Sequence, residues 1–264
     1  MAQVINTNTF SLNSQRHLNK NSAGLATALE RLSSGLRVNS AKDDAAGLAI
    51  AQRMEASGRG LTVALRNASD GISFGQTADG ALGTVADILQ RMRELSVQAL
   101  NGTLGTTELS NLDAEYSRLN TEVTALQGAA KLNNQSVFGS FTFQVGAEAS
   151  QTIVGTFTSV ATAGGSVSTS AGAAAALTAI DNSLTSVATN RATIGGTMSA
   201  LQFRMESIET ARENQYAARS RIMDADFAME SAMLSRAQIL QQSGVAMVSQ
   251  ANAIPQNVLQ LLRG

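Results

Sequence analysis

The sequence contains no cysteine and no tryptophan, and it has one proline and one histidine in 264 residues. A chain without cysteine forms no disulfide and has no thiol nucleophile. A single histidine, His17, leaves no histidine-based triad, no HExxH motif and few zinc sites. We interpret His17 as a helix-surface residue, and we predict no catalytic residue, no metal site, no cofactor and no enzymatic activity.

Aromatic residues are also scarce, at 4% of the chain, although the apolar fraction is an ordinary 44%. Such a composition does not favour a thick aromatic core, whereas long paired helices need only Leu, Val, Met and Ala. Since Pro255 is the only proline, long helices meet almost no breaker. The length allows one or two domains.

Neither sign of charge dominates, because 19 basic residues face 20 acidic ones and the net charge is −1. This balance argues against nucleic acid as a partner, since phosphate binding requires a basic surface. The first ten residues, "MAQVINTNTF", lack the cationic start and apolar centre of a conventional signal peptide. No run of about 18 apolar residues is present, so we predict no membrane partner.

Five stretches repeat apolar residues at intervals of three and four, the pattern of paired helices. The first lies within 1–36. A second helix is predicted over about 43–100, with Asp43 or Ser40 as its N-cap. The predicted stripe of its later half is Leu82, Val85, Leu89, Met92, Ser96 and Ala99. A turn at 101–107 separates it from the third stretch, so these two helices are expected to pack antiparallel. The fourth and fifth stretches cover 177–222 and 233–261. The predicted seam of the fifth is Met233, Ala237, Leu240, Gly244, Met247, Ala251, Ile254, Val258 and Leu261.

The centre of the chain has a different pattern. Phe141, Phe143 and Val145 alternate and are followed, after a turn, by Ile153 and Val154, which predicts a β-hairpin. All but three of residues 155–176 are Ala, Gly, Ser or Thr. We expect this segment to be a flexible surface segment or a weakly specified strand pair.

The predicted fold is therefore mainly α, with long antiparallel helices in coiled-coil or bundle packing and a small central β-hairpin region. Because both ends of the chain carry the same apolar repeat, we expect them to pair with each other or with copies of the chain. The Asp43–Asp44 pair beside Lys42 is interpreted as capping or salt bridging rather than a cation site.

Three segments carry a resemblance to one family. "INTNTFSLNSQRHLNKNSAGLATALERLSSGLRVNSAKDDAAGLAIAQRM" (5–54), "VADILQRMRELSVQALNGT" (85–103) and "QANAIPQNVLQLLRG" (250–264) resemble the terminal and core signatures of bacterial flagellins. The resemblance covers about 1–135 and 177–264. Longer members carry large outer domains in the middle, where this chain has only about 40 residues.

The resemblance implies a structural subunit of the extracellular flagellar filament, exported by the flagellar type III apparatus and used for swimming. It implies that 1–40 and 225–264 form a terminal coiled-coil inner core, and that 41–224 form a helical rod with a β-hairpin region at about 137–176. The implied inner-coil residues are Leu18, Leu25, Leu29, Leu32, Leu36, Met247, Ala251, Ile254, Val258 and Leu261. From the diluted apolar pattern we expect both ends to be unfolded in the free subunit and helical on assembly.

The resemblance also assigns a linker between the inner and outer layers. Its residues are Gly35, Asn39, Lys42, Asp43, Asp44 and Gly47. We expect the two glycines to supply backbone freedom, and Lys42, Asp43 and Asp44 to pair with neighbouring subunits.

The implied partners are copies of the chain, an export chaperone that takes the carboxy-terminal region, the filament cap and the hook-associated proteins. The host Toll-like receptor for flagellin is a further implied partner, through an epitope of Arg91, Leu95 and Glu115, with Arg91 and Leu95 on an exposed face. Two alternatives remain open: a hook–filament junction protein, and a surface-located flagellin homologue that acts as a binding protein.

Overall fold

The computed structural model describes residues 7–261, with side chains described as far as residue 253. Helices occupy most of this part of the chain, and four short strands lie in its middle. The helices are α1 (Thr9–Ser34), α2 (Ala45–Ala99), α3 (Thr106–Ala129), α4 (Ser170–Met223) and α5 (Phe227–Leu261). The strands are β1 (Lys131–Leu132), β2 (Gln135–Ser136), β3 (Gly139–Gln144) and β4 (Thr152–Phe157). The mainly α prediction is confirmed, and α5 continues through Pro255.

The chain forms two compact units. One unit contains residues 57–214, and the other contains 1–56 together with 215–264. Helices α2 and α4 contribute residues to both units. We describe each unit by itself.

The core of the 57–214 unit lies between α2, α3 and α4. Leu82, Leu89 and Met92 of α2 are fully buried, at the spacing that the sequence predicts. They pack with Tyr116 and Val123 of α3 and with the stripe on α4. The buried α4 residues of this cluster are Ala173, Ala176, Ile180, Val187 and Ile194.

Ion pairs show the direction of these helices. Asp79 of α2 contacts Arg191 of α4 at 2.7 Å, and Arg93, further along α2, contacts Asp181 at 2.8 Å. As the position on α2 advances, the position on α4 therefore retreats, so α2 and α4 are antiparallel.

The predicted hairpin is present as β3 and β4. In its antiparallel register Phe141 faces Gly155 and Phe143 faces Ile153. A Cβ on Gly155 would lie 3.1 Å from the Phe157 ring and 3.2 Å from the Phe143 ring, so a larger residue would require the two rings to shift by a few tenths of an ångström. A second hairpin, β1–β2, was not predicted; its turn uses Asn133 and Asn134 at positive φ.

The expectation for 155–176 is wrong. The three residues outside the small-residue composition, Phe157, Val160 and Val167, are all buried in the core. The Gln127 amide accepts from the Val160 N–H at 2.7 Å and donates to the Val160 carbonyl at 3.1 Å. Helix α4 then begins at Ser170. This segment is a connection that is fastened to α3 by Gln127 and to α4 by Ser183 and Asn190, which donate to the Ala161 and Thr158 carbonyls.

Candidate functional site

The two connections that leave the terminal helices are joined to each other by backbone hydrogen bonds. Gly35 ends α1 in the left-handed conformation, with φ 71°. Its carbonyl accepts from the Ala225 N–H at 2.9 Å, and the Arg37 N–H donates to the Met223 carbonyl at 2.6 Å. The predicted backbone freedom of Gly35 is therefore required here.

Asp43 and Asp44 both accept hydrogen bonds from nearby backbone N–H groups, which agrees with the capping interpretation. The two carboxylates bind on opposite sides, Asp43 to the turn before it and Asp44 to the first turn of α2. The Asp43 carboxylate accepts from the Ser40 N–H at 2.8 Å and from the Ser40 hydroxyl at 2.9 Å. The backbone bond from Ser40 is the main cause that holds the pKa of Asp43 below its ordinary value. Asp44 accepts from the Gly47 N–H at 2.8 Å and is the N-cap of α2. The prediction of Asp43 or Ser40 as that cap is therefore wrong.

The role expected for Gly47 is also wrong. Gly47 lies inside α2, where a Cβ would collide with the Asp44 carboxylate. The position needs space for the cap, not a special backbone angle. Asn39 donates to Glu30 at 2.8 Å, and Lys42 is exposed. Pairing of this segment with neighbouring subunits stays a prediction, and both carboxylates already accept hydrogen bonds within the chain.

Helices α1 and α5 form an antiparallel pair that depends on polar contacts. The Asn8 side chain donates to the Ala251 carbonyl, and the Asn21 side chain donates to the Ala237 carbonyl, each at 2.7 Å. Arg31 forms an ion pair with Glu230 at 3.0 Å. Sequence reasoning missed these contacts, because the apolar repeat gives no signal for them.

The apolar seam between the two helices is narrower than predicted. On α5, Ala237 and Ala251 are buried against α1 and Gly244 is half-buried, as expected. The positions between them are shifted by one residue. Half-buried Leu234, Gln241 and Val248 replace Met233, Leu240 and Met247, which are exposed at 46%, 50% and 60%.

The predicted inner-coil residues are therefore divided. On α1, Leu18, Leu25 and Leu32 are half-buried, as is Leu36 just beyond the helix, whereas Leu29 is 48% exposed. The side chains of Ile254, Val258 and Leu261 lie outside the described residues. The role of this set in polymerisation stays a prediction.

Large apolar side chains cover α5 on more than one face. The exposed ones are Phe227, Met229, Met233, Ile239, Leu240, Val245 and Met247. A helix that is apolar on several faces is stable only when several faces are covered. Between α1 and α5 runs a groove of about 600 Å³, whose apolar lining includes Leu18, Leu240 and Met247.

The predicted receptor epitope is split by the fold. Arg91 forms ion pairs with Glu115 at 2.9 Å and Glu94 at 3.0 Å, and all three side chains are exposed. The hydrogen bond to Glu115 is the main cause that raises the pKa of Arg91. Leu95 is only 1% exposed and belongs to the core. The expectation that Leu95 lies on an exposed face is wrong, because α3 and α4 together cover a wider stripe of α2 than the predicted one.

Within residues 7–261, no helix combines the length and the apolar character that crossing a membrane requires. In the same part of the chain, no group of three or more His, Cys, Asp or Glu residues is placed to hold a metal ion.

Comparisons with known proteins agree with this geometry. The model of the bacterial flagellin N-terminal helical region matches residues 5–142, and that of the C-terminal helical region matches residues 177–262. Flagellin of Halalkalibacterium halodurans is 40% identical over 271 residues, which cover 98% of this chain and all of the relative. Flagellin FlaB1 of Treponema pallidum is 34% identical, again over 98% of this chain and all of the relative.

A solved structure supports the same conclusion. The crystal structure of Bacillus cereus flagellin is 28% identical, has a TM-score of 0.50, and covers 54% of this chain and 88% of that chain. Both family models and full-length relatives thus match a chain whose two ends form a helix pair. The chain therefore belongs to the bacterial flagellins, the family of structural subunits of the flagellar filament.

Proposed function

We propose that this chain is exported by the flagellar type III apparatus and polymerises with copies of itself outside the cell, into the filament used for swimming. One observation carries the proposal. Helix α5 exposes seven large apolar side chains and has α1 as its partner within the described part of the chain. A second copy, whose own α1 and α5 present the same apolar faces, is a matching cover.

Free energies explain why covering these faces favours assembly. Fully burying a Leu, Met or Phe side chain contributes about 1.5–3 kcal/mol. Ordering the backbone costs about 1–2 kcal/mol per residue. Among the side chains that the structure describes in α1 and α5, up to residue 253, the buried ones are small or polar: Ser11, Ala28, Glu230, Ala237 and Ala251. Burial within the α1–α5 pair therefore offsets only a small part of the free energy that ordering the two helices costs. Burial against neighbouring subunits offsets the remainder.

The same exposed faces account for the proposed partners. An export chaperone that takes the carboxy-terminal region would cover α5 before assembly, and the filament cap and hook-associated proteins would meet it at the two filament ends. The division proposed for the assembled subunit is an inner core of 1–40 and 225–264 and a helical rod of 41–224.

Polymerisation of the purified protein tests the proposal. We expect salt to induce long filaments with a central channel, visible by electron microscopy. Leu240→Glu should abolish them, because it places a charge on the apolar face of α5. Val154→Glu is the matched control, since Val154 is 57% exposed but lies on the hairpin. Filaments from Leu240→Glu would contradict the proposal, and failure of the unmodified protein to elongate would favour the hook–filament junction protein.

The host Toll-like receptor for flagellin is a further proposed partner, and it would read Arg91 and Glu115 from the exposed surface. Arg91→Ala should weaken receptor signalling and leave the fold intact. Arg93→Ala is the matched control, because its side chain is 48% exposed and ion-paired, like that of Arg91 at 51%. Equal signalling by both variants would remove Arg91 from the epitope.

A further inference from the structure

Methionines are unevenly distributed between the interior and the surface. Met1 lies outside the described residues. Of the other methionines, Met92 and Met223 are buried, and three are half-buried. The half-buried ones are Met54, Met198 and Met205. The remaining three, Met229, Met233 and Met247, are exposed, and all of them lie on α5.

The exposed methionines lie on one face of the helix. Residues 229 and 247 are separated by about five turns, and residue 233 lies about one turn beyond 229. Leu240 continues the same stripe. We call Met229, Met233, Leu240 and Met247 the methionine stripe. It flanks the residues that face α1, and its Met247 end borders the groove between α1 and α5.

We propose that the methionine stripe is an oxidation site, and that a peroxide acting on it blocks polymerisation of the free subunit. The inference rests on the proposed function, because the stripe matters only if neighbouring subunits cover it. The thioether is open to solvent in the free subunit, and the filament would bury it. The subunit is therefore sensitive before assembly and protected after it.

The chemistry needs only hydrogen peroxide as the oxidant. A lone pair on the thioether sulfur attacks one peroxide oxygen, the O–O bond breaks and an S–O bond forms. The displaced hydroxide takes the remaining proton and leaves as water. Sulfur loses two electrons and the peroxide gains them. The sulfoxide is polar, and methionine sulfoxide reductases reverse the change.

The sulfoxide opposes assembly because it carries a strong hydrogen-bond acceptor into an apolar contact. A polar group buried without a partner reduces an association constant about tenfold or more. Sulfoxides at the half-buried methionines would have no such effect on the α5 contact, because Met54 lies on α2 and Met198 and Met205 lie on α4, outside the methionine stripe.

Partial oxidation of the purified full-length chain tests the proposal without any variant. The subunit is treated with hydrogen peroxide, the peroxide is removed, and polymerisation is induced with salt. Sedimentation separates filaments from free subunits, and peptide mass spectrometry measures sulfoxide at each methionine in both fractions. We expect sulfoxide at Met229, Met233 and Met247 to be enriched about tenfold in the free fraction. We expect no enrichment at Met54, Met198 or Met205.

Two variants sharpen this test. Met229→Leu, Met233→Leu and Met247→Leu are combined in one chain, and Met54→Leu, Met198→Leu and Met205→Leu in another. For each chain we take the ratio of the amount polymerised after peroxide to the amount polymerised by its own untreated sample, so a change in basal polymerisation cancels. This ratio should stay near one for the variant without the exposed methionines. It should fall for the variant without the half-buried methionines as far as it falls for the unmodified chain.

The possible outcomes are separable. Equal sulfoxide in filament and free fractions overturns the inference and leaves the proposed function standing. Slower oxidation of the methionine stripe than of the half-buried methionines would also overturn the inference. Equal sensitivity of the two variants to peroxide would do the same. If the untreated chain forms no filament, the proposed function fails and the polymerisation block fails with it, while the order of oxidation is still decided by the mass spectra.

Discussion

The core of the 57–214 unit and the terminal helix pair are built from apolar repeats of the same spacing, yet they reach opposite degrees of burial. In the core, Leu82, Leu89 and Met92 are completely buried. In the pair, Leu240 and Met247 are half exposed or more. The difference lies in the number of neighbours, because the α2 stripe meets both α3 and α4 whereas α5 meets α1. An apolar repeat thus shows which face of a helix must be buried. It does not show whether that face is buried within one chain or by a neighbouring subunit.

Single substitutions should separate the two regions most strongly in stability. Leu89→Ala removes a fully buried side chain, so it should lower the free energy of unfolding by about 2–5 kcal/mol. Leu240→Ala should change it by no more than about 0.5 kcal/mol, because the side chain is half exposed in the free subunit. Urea denaturation of the free subunit measures both. A loss at Leu240 as large as that at Leu89 would mean that the pair is already complete within one chain.

A smaller effect is expected where α3 holds the connection before α4. Gln127→Ala removes both hydrogen bonds to the Val160 backbone, which would leave a buried donor and acceptor unpaired. We expect a loss of about 1–3 kcal/mol in the free energy of unfolding. The matched control is Gln98→Ala, at an exposed glutamine of α2. If Gln127→Ala is as harmless as the control, the segment is not fastened as the structure indicates.

The smallest effect concerns the connection between α1 and α2. The pKa of Asp43 is lowered in the folded chain, so its hydrogen bonds stabilise the fold at pH values above the ordinary carboxyl pKa. That contribution is lost as the pH falls through the lower pKa of the folded state. Asp43→Asn should therefore reduce stability slightly at neutral pH, and the difference should vanish in acid. A difference that persists unchanged in acid would assign the effect to something other than the carboxylate.

The sequence was sufficient for the helices and the main hairpin, because their apolar periods are long and distinct. It was insufficient for the phase of α5. Ala237, Gly244 and Ala251 belong to both the observed and the predicted seam. Around the helix, apolar residues lie on either side of this row: Met233 and Met247 on one side, Leu234 and Val248 on the other. Steps of three and four therefore fit either choice. Only the partner helix decides, and it selects Leu234 and Val248 over Met233 and Met247.

Other features depend on contacts that no period records. Leu95 lies beside Met92 and Ser96 on α2, and it is buried because two neighbouring helices cover a wide stripe. Val160 and Val167 stand alone among small residues and have no period at all. Gly47 reads as a flexible residue in the sequence, but the structure needs its missing side chain to make room for Asp44.

The central claim is that the terminal helix pair is completed by neighbouring subunits, and hydrogen exchange tests it most directly. Backbone amides of α1 and α5 would be followed in the free subunit and in filaments, with the α2 amides of residues 78–99 as the internal standard. We predict fast exchange of α1 and α5 in the free subunit, slow exchange in filaments, and slow exchange of the standard in both. Equal protection of α1 and α5 in the free subunit and in filaments would contradict the account.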